Sequence, residues 1–131
     1  SAALSPIIPI RWNLIMLSES CKNFSEAIGA KMESLSQKYS ALEEKKMDAW
    51  DQAFLFAGSM FQLMLMTVQT GKRSLEETLR ILIDVPIECI EDARDYSLSG
   101  DQSTALGFLI LSQLTNILID LFKLELLAKN L

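Results

Sequence analysis

Apolar residues recur at steps of three and four along nearly the whole chain, the spacing that lets a helix bury one face. From Trp12 to about Lys38 they fall at Leu14, Leu17, Cys21, Phe24, Ile28, Met32, Leu35 and Tyr39, which predicts one long amphipathic helix over about 12–39. The next run, Met47, Trp50, Phe54, Ala57, Phe61, Met64 and Val68, keeps the same steps, and a flanking stripe of Ala49, Ala53, Phe56, Met60 and Leu63 widens it. Ser40-Ala41-Leu42-Glu43 has the form of a capping box, so the second helix is expected over 41–70. Gly71 is placed as its stop, and Lys72 and Arg73 suit the negative end of its dipole. In its C-terminal half Leu55, Leu65 and Met66 make the far side apolar as well, which calls for enclosure on most sides.

Ser74-Leu75-Glu76-Glu77 repeats the capping signature and opens a third helix over 75–97, broken at Pro86. Leu75, Leu79, Leu82 and Ile83 are expected to face inward, and the pattern continues through Ile87, Ile90 and Ala93. Leu98-Ser99-Gly100-Asp101 reads as a turn, with Ser99 or Asp101 capping a fourth helix over 102–129. That helix is apolar round most of its circumference, with a thin polar strip at Gln113, Asn116, Asp120 and Lys123, so it belongs at the centre or at a subunit contact. Pro6 and Pro9 make residues 1–10 an extended arm, whose Ile7, Ile8 and Ile10 are expected to pack on the domain or on a neighbouring subunit. The expected fold is all-α: residues 1–131 form one domain, an antiparallel up-down-up-down four-helix bundle with an extended N-terminal arm and a proline-interrupted third helix.

Composition adds a surplus to this picture. Half of the 131 residues are hydrophobic and 22% are charged, which leaves little polar surface and calls for a partner to cover spare apolar faces. Charge is uneven as well. Glu76, Glu77, Asp84, Glu88, Glu91, Asp92, Asp95 and Asp101 stand against only Arg80 and Arg94, so the 75–101 segment carries −6 of a chain whose net charge is −5. Clustered cations of the kind that neutralise phosphates are absent, which excludes a nucleic-acid surface. With no histidine, Ser–His and Cys–His catalysis are excluded too. Cys21 and Cys89 sit within apolar helical patterns and read as buried thiols. No basic stretch precedes an apolar run at the N-terminus, so no signal peptide is visible and a cytoplasmic location is expected.

Two windows, Gln52–Gly71 and Gln102–Ile119, hold no charged side chain and are each about long enough to span a bilayer. Gln52, Ser59, Gln62, Thr67, Gln69 and Thr70 interrupt the first, and Ser103, Thr104, Ser112, Gln113, Thr115 and Asn116 the second, which favours buried bundle helices. The candidate partner-binding residues are Phe54, Phe56, Met60, Phe61, Met64, Leu65 and Met66 on the second helix with Phe108, Leu111 and Phe122 on the fourth, since methionine and phenylalanine make a pliable apolar groove. Glu88, Glu91, Asp92 and Asp95 would steer a basic partner toward the third helix.

The same carboxylates are the one set that could carry chemistry. Glu88, Glu91 and Asp95 share a helix face, Glu44, Asp48 and Asp51 share another, and if the two met they could hold Mg²⁺. The expected function is a non-catalytic helical protein–protein interaction module, adaptor, chaperone-like or toxin-neutralising, without cofactor, acting on a protein partner or on a copy of itself. The alternatives are a membrane-inserting helical hairpin and a Mg²⁺-dependent all-α hydrolase.

Overall fold

The computed structural model describes residues 19–40 and 47–130, and every regular element among them is a helix: α1 (Glu19–Ser40), α2 (Ala49–Thr70), α3 (Leu75–Leu82), α4 (Val85–Leu98) and α5 (Gln102–Asn130). The expected arm over 1–10, the first-helix residues Trp12, Leu14 and Leu17, and Ala41, Leu42, Glu43 and Glu44 lie outside the described residues. The buried positions of α1, Cys21, Ser25, Ile28, Met32, Leu35 and Tyr39, follow steps of four and three and form one face.

Local chemistry sets each helix boundary. Ser40 does not open α2: it is the last residue of α1, and its hydroxyl donates back to the Ser36 carbonyl at 2.6 Å. Asp48 takes that role, its carboxylate accepting the amides of Trp50 at 2.9 Å and Asp51 at 3.4 Å, where it also meets the positive end of the dipole. Gly71 ends α2 in an extended conformation (φ −74°, ψ 132°), so no left-handed residue is used there. Ser74 caps α3 by accepting the Glu77 amide at 3.2 Å. After Leu82 the chain passes through Ile83 and Asp84, both still with right-handed helical angles, and re-enters a helix at Val85. Pro86 sits in that first turn, where its missing N–H is one of the donors a helix start leaves unpaired.

The end of α4 needs a left-handed residue, and Gly100 (φ 94°) supplies it. Its amide donates to Ser97 and the Asp101 amide to Tyr96, the pairing that closes the orphan carbonyls of a helix terminus. Asp101 then caps α5 by accepting the Thr104 amide at 3.1 Å.

α5 packs against each of the other four helices and is the centre of the structure. Its contacts with α2 keep a nearly constant separation along the chain, Gln52 to Ser103, Phe56 to Phe108 and Met64 to Thr115, so the two helices run side by side in the same sense. Gly107 permits that approach: a Cβ there would lie 2.5 Å from the Phe56 ring and 3.3 Å from the Ala53 carbonyl oxygen. α1 lies on α2, with Phe24 edge-on to Phe61 at 5.7 Å. α4 lies on α5, where the buried Ser112 hydroxyl donates to the Pro86 carbonyl at 2.9 Å. Phe61 and Leu65 from α2, Leu82 from α3 and Leu118 and Phe122 from α5 are the largest fully enclosed apolar side chains, each stabilising the fold by about 1.5–3 kcal/mol. Among the described residues no buried side-chain nitrogen or oxygen lacks a hydrogen-bond partner.

Candidate interaction surface

Four of the ten residues expected to meet a partner are core. Phe61, Leu65, Leu111 and Phe122 are buried in the one apolar cluster to which all five helices contribute, because apolar residues at helical spacing serve a core as well as a groove. Phe54, Phe56, Met64, Met66 and Phe108 are half-buried and Met60 is exposed. Several of these have neighbours already. The Lys31 ammonium lies 4.8 Å over the Phe54 ring, and Phe108 is edge-on to Phe56 at 5.2 Å and stacked on Tyr96 of α4 at 5.5 Å. What α2 leaves open to water is Trp50, Met60 and Leu63, and what α5 leaves open is Leu109, Ile117, Leu124 and Leu127.

The surface that sequence reasoning missed is on α4. Ile83, Ile87 and Ile90, expected to face inward, are 51%, 61% and 50% exposed. The buried face of α4 consists of Pro86, Cys89 and Ala93, of which Ala93, expected to face inward, and Cys89, expected as a buried thiol, lie where the sequence placed them. Both stripes have helical spacing, and the isoleucines are the more hydrophobic, so periodicity alone does not tell which of the two is covered. The signal that would have found the right one is the compactness of Pro86, Cys89 and Ala93 opposite a helix as bulky as α5. Leu98 extends the exposed side and is 81% exposed.

Glu88, Glu91, Asp92 and Asp95 are all exposed on this same helix. Arg94 is the only cation of α4, and its Nε stands 3.7 Å from the Asp95 carboxylate. Burial pushes the Cys89 thiol up to about 11, with the charges of Asp92 and Glu88 adding to the effect, so at neutral pH it is a protonated apolar filler. No disulfide joins Cys21 to Cys89.

The two carboxylate faces are not brought together. Asp48 is occupied as the cap of α2, and Asp51 accepts from the Tyr39 hydroxyl at 2.5 Å and from the Lys38 ammonium at 3.3 Å, a link that fastens the end of α1 to the start of α2. The Tyr39 bond, followed by Lys38, holds the Asp51 carboxyl below the ordinary carboxylate range, and Asp51 in turn raises Lys38. α4, which carries Glu88, Glu91 and Asp95, packs on α5 and α3. Among the described residues no group of three or more His, Cys, Asp or Glu side chains is placed to hold a metal ion.

α2 and α5 are both long and apolar enough to cross a membrane, and a third of the apolar stretch of α2 and half of that of α5 are buried inside the structure. Gln62, Ser112 and Thr115 are the polar side chains of these stretches that the fold buries, while Gln52, Thr67, Thr70, Gln113 and Asn116 are exposed. Gln62 is buried, and Thr115 donates to the Leu111 carbonyl at 2.8 Å with the Met64 sulfur at 3.9 Å. No family model, no curated protein and no solved structure matches the chain.

Proposed function

We propose that this chain is a non-catalytic interaction module: a four-helix bundle, with α3 and α4 together as the proline-interrupted third helix, that closes its open apolar faces against another polypeptide. The pairing of Tyr39 with Asp51 and of Phe24 with Phe61 supports an antiparallel α1–α2 arrangement, and Tyr96 beside Phe108 with Pro86 opposite Ser112 supports the same for α4 and α5. The observation that carries the functional reading is the residue of large apolar side chains left in water after the core is filled. Met60 and Leu63 on α2 and Leu124 and Leu127 on α5 are among them, on helices whose other side is fully packed. Covering them would release about 1 kcal/mol or more for each large side chain, which is the driving force for a chaperone-like or neutralising complex or for a homodimer.

Light scattering coupled to size exclusion, over a wide concentration range, tests this reading. A species heavier than the 14.7 kDa chain, reduced to that mass by Leu63→Arg or Leu124→Arg, is the expected outcome for self-association. A lone chain that stays monodisperse at every concentration, and whose exposed leucines accept arginine with no change in any binding, removes it. The membrane reading rests on the length and apolarity of α2 and α5. Partition into liposomes, with loss of the Tyr39–Asp51 link, is its signature; a chain that stays in the aqueous phase disposes of it.

A further inference from the structure

α4 carries three separate faces, and only one is used by the fold. Pro86, Cys89 and Ala93 are its buried face; a second face presents Ile87 and Ile90, continued back to Ile83 in the junction and onward through Arg94 to Leu98; and a third presents Glu88, Glu91, Asp92 and Asp95, with Asp84 just before it. Because Ile83 and Asp84 keep helical backbone angles across the α3–α4 junction, the isoleucines stay in phase as one stripe at steps of four and three. From Ile83 to Ile90 the apolar stripe is about 10 Å long at 1.5 Å per residue, room for roughly two turns of a second helix, and Arg94 takes the next position on this face before Leu98.

Charge decides what covers it. A second copy docked through the same face would bring two rows of carboxylates together with one arginine each, which a two-fold contact cannot relieve. An anionic lipid surface meets the same repulsion. A cationic helix with one apolar face satisfies both features, its leucine-like side chains on the isoleucines and its lysines or arginines beside the carboxylates. We infer that the Ile83–Ile90 face, running from the α3–α4 junction into α4, is the docking site for a basic amphipathic helix of a partner protein. The inference rests on the interaction reading above and adds to the open faces of α2 and α5 a second contact on α4, where the acidic residues line the site itself.

The test uses the full chain and two designed three-heptad peptides of identical pattern, one Leu/Lys and one Leu/Glu, with amide chemical shifts and fluorescence anisotropy as readouts. Saturable binding of the Leu/Lys peptide alone, with shifts concentrated at Val85–Leu98, supports the site. The Ile87→Ser/Ile90→Ser double variant should weaken that binding by about tenfold or more. Glu88→Lys/Asp92→Lys should weaken it as well, and added salt should do so progressively. Both variants change only exposed side chains, and circular dichroism checks that each is folded. Shifts that fall on Met60, Leu63 or Leu124 place the contact on α2 and α5; they overturn this site while leaving the interaction reading intact. Binding that responds to the charge reversal and not to the serine variant is bulk electrostatics and overturns the proposal, as does no binding at all. In either of those cases the light-scattering result stands on its own.

Discussion

Two leucine-to-phenylalanine-sized deletions on α5, two residues apart, distinguish an open helix face from a covered one. Phe122 is 1% exposed among the core side chains of α2 and α5, whereas Leu124 is 62% exposed on the opposite side of the same helix. Phe122→Ala removes a ring from a site walled by packed neighbours, so the lost transfer energy and the residual cavity together cost about 3–5 kcal/mol. A domain of this size is stable by about 5–15 kcal/mol, so the loss is a large fraction of the total while leaving a folded protein. Leu124→Ala gives up only the shielded part of a side chain whose complete burial would be worth about 1.5–3 kcal/mol, which comes to about 1 kcal/mol or less.

Urea unfolding of both variants reads this difference directly. With a slope of about 1.5–2 kcal/mol/M, Phe122→Ala should lower the midpoint by about 2 M and Leu124→Ala by under about 0.7 M. Losses of equal size at the two positions would refute the placement of Leu124 in water. If the Leu124→Ala loss also grew with protein concentration, a second copy would be covering it. A Phe122→Ala loss below about 1 kcal/mol would refute the core itself.

Three other outcomes follow from single contacts. The Asp51 carboxyl is held down chiefly by the Tyr39 hydroxyl, so its contribution is present above the unfolded carboxyl pKa and lost as pH falls through the depressed folded value; melting temperature should drop more steeply below about pH 4 in the wild type than in Asp51→Asn. Cys89, with its thiol pushed up to about 11 by burial and acidic neighbours, should resist iodoacetamide at neutral pH until the protein is unfolded, as judged by peptide mapping; rapid native labelling would contradict its placement. Gly100→Ala meets no atom within 4 Å, so its cost is backbone strain alone, about 1–2 kcal/mol in thermal or urea unfolding, and a neutral result would deny the left-handed turn.

What the amino-acid pattern disclosed and what it hid divide along one physical line. Helix identity is local: the 3-4 spacing around Ile28, Met32, Leu35 and Tyr39, the Ser74 cap and the Gly100-Asp101 turn all follow from residues within a turn or two of each other. The breadth of apolar residues on α5 calls for a place at the centre or at a subunit contact, and α5 packs against each of the other four helices. Which apolar stripe is buried is decided by a neighbour far away in sequence. α4 buries Pro86, Cys89 and Ala93 and leaves Ile87 and Ile90 open, and the Ile83–Ile87–Ile90 spacing, which is as helical as the buried one, does not reveal that choice. The displaced start of α2 has a different origin. Ser40 satisfies its hydroxyl on the Ser36 carbonyl inside α1, and Asp48, which brings both an acceptor and a negative charge to a helix start, is the cap. Phe61, Leu65, Leu111 and Phe122 were assigned to a groove for the same reason that they make a core: both require apolar residues at helical spacing.

The two open surfaces differ in charge, and that difference makes the proposed contacts separable by salt. The outer side of α2 lies in a stretch with no ionised side chain from Gln52 to Gly71, and on α5 the opposite charges of Asp120 and Lys123 stand 3.9 Å apart and offset each other. A neutral apolar surface of this kind is indifferent to the sign of what approaches, so a second copy or a neutral helix meets it equally well, and high salt does not weaken the contact. The α4 isoleucines are bordered by Glu88, Glu91, Asp92 and Asp95, with Arg94 the one cation of that helix, so the proposed contact with a basic helix should loosen as salt rises. One titration with sodium chloride therefore separates the two contacts in a single sample. Association through Met60, Leu63 and Leu124 persists, while a basic helix on Ile83, Ile87 and Ile90 is released. Were both lost together, the neutral and acidic surfaces would have to be parts of one interface, and the assignment of separate occupants to α2–α5 and to α4 would fall.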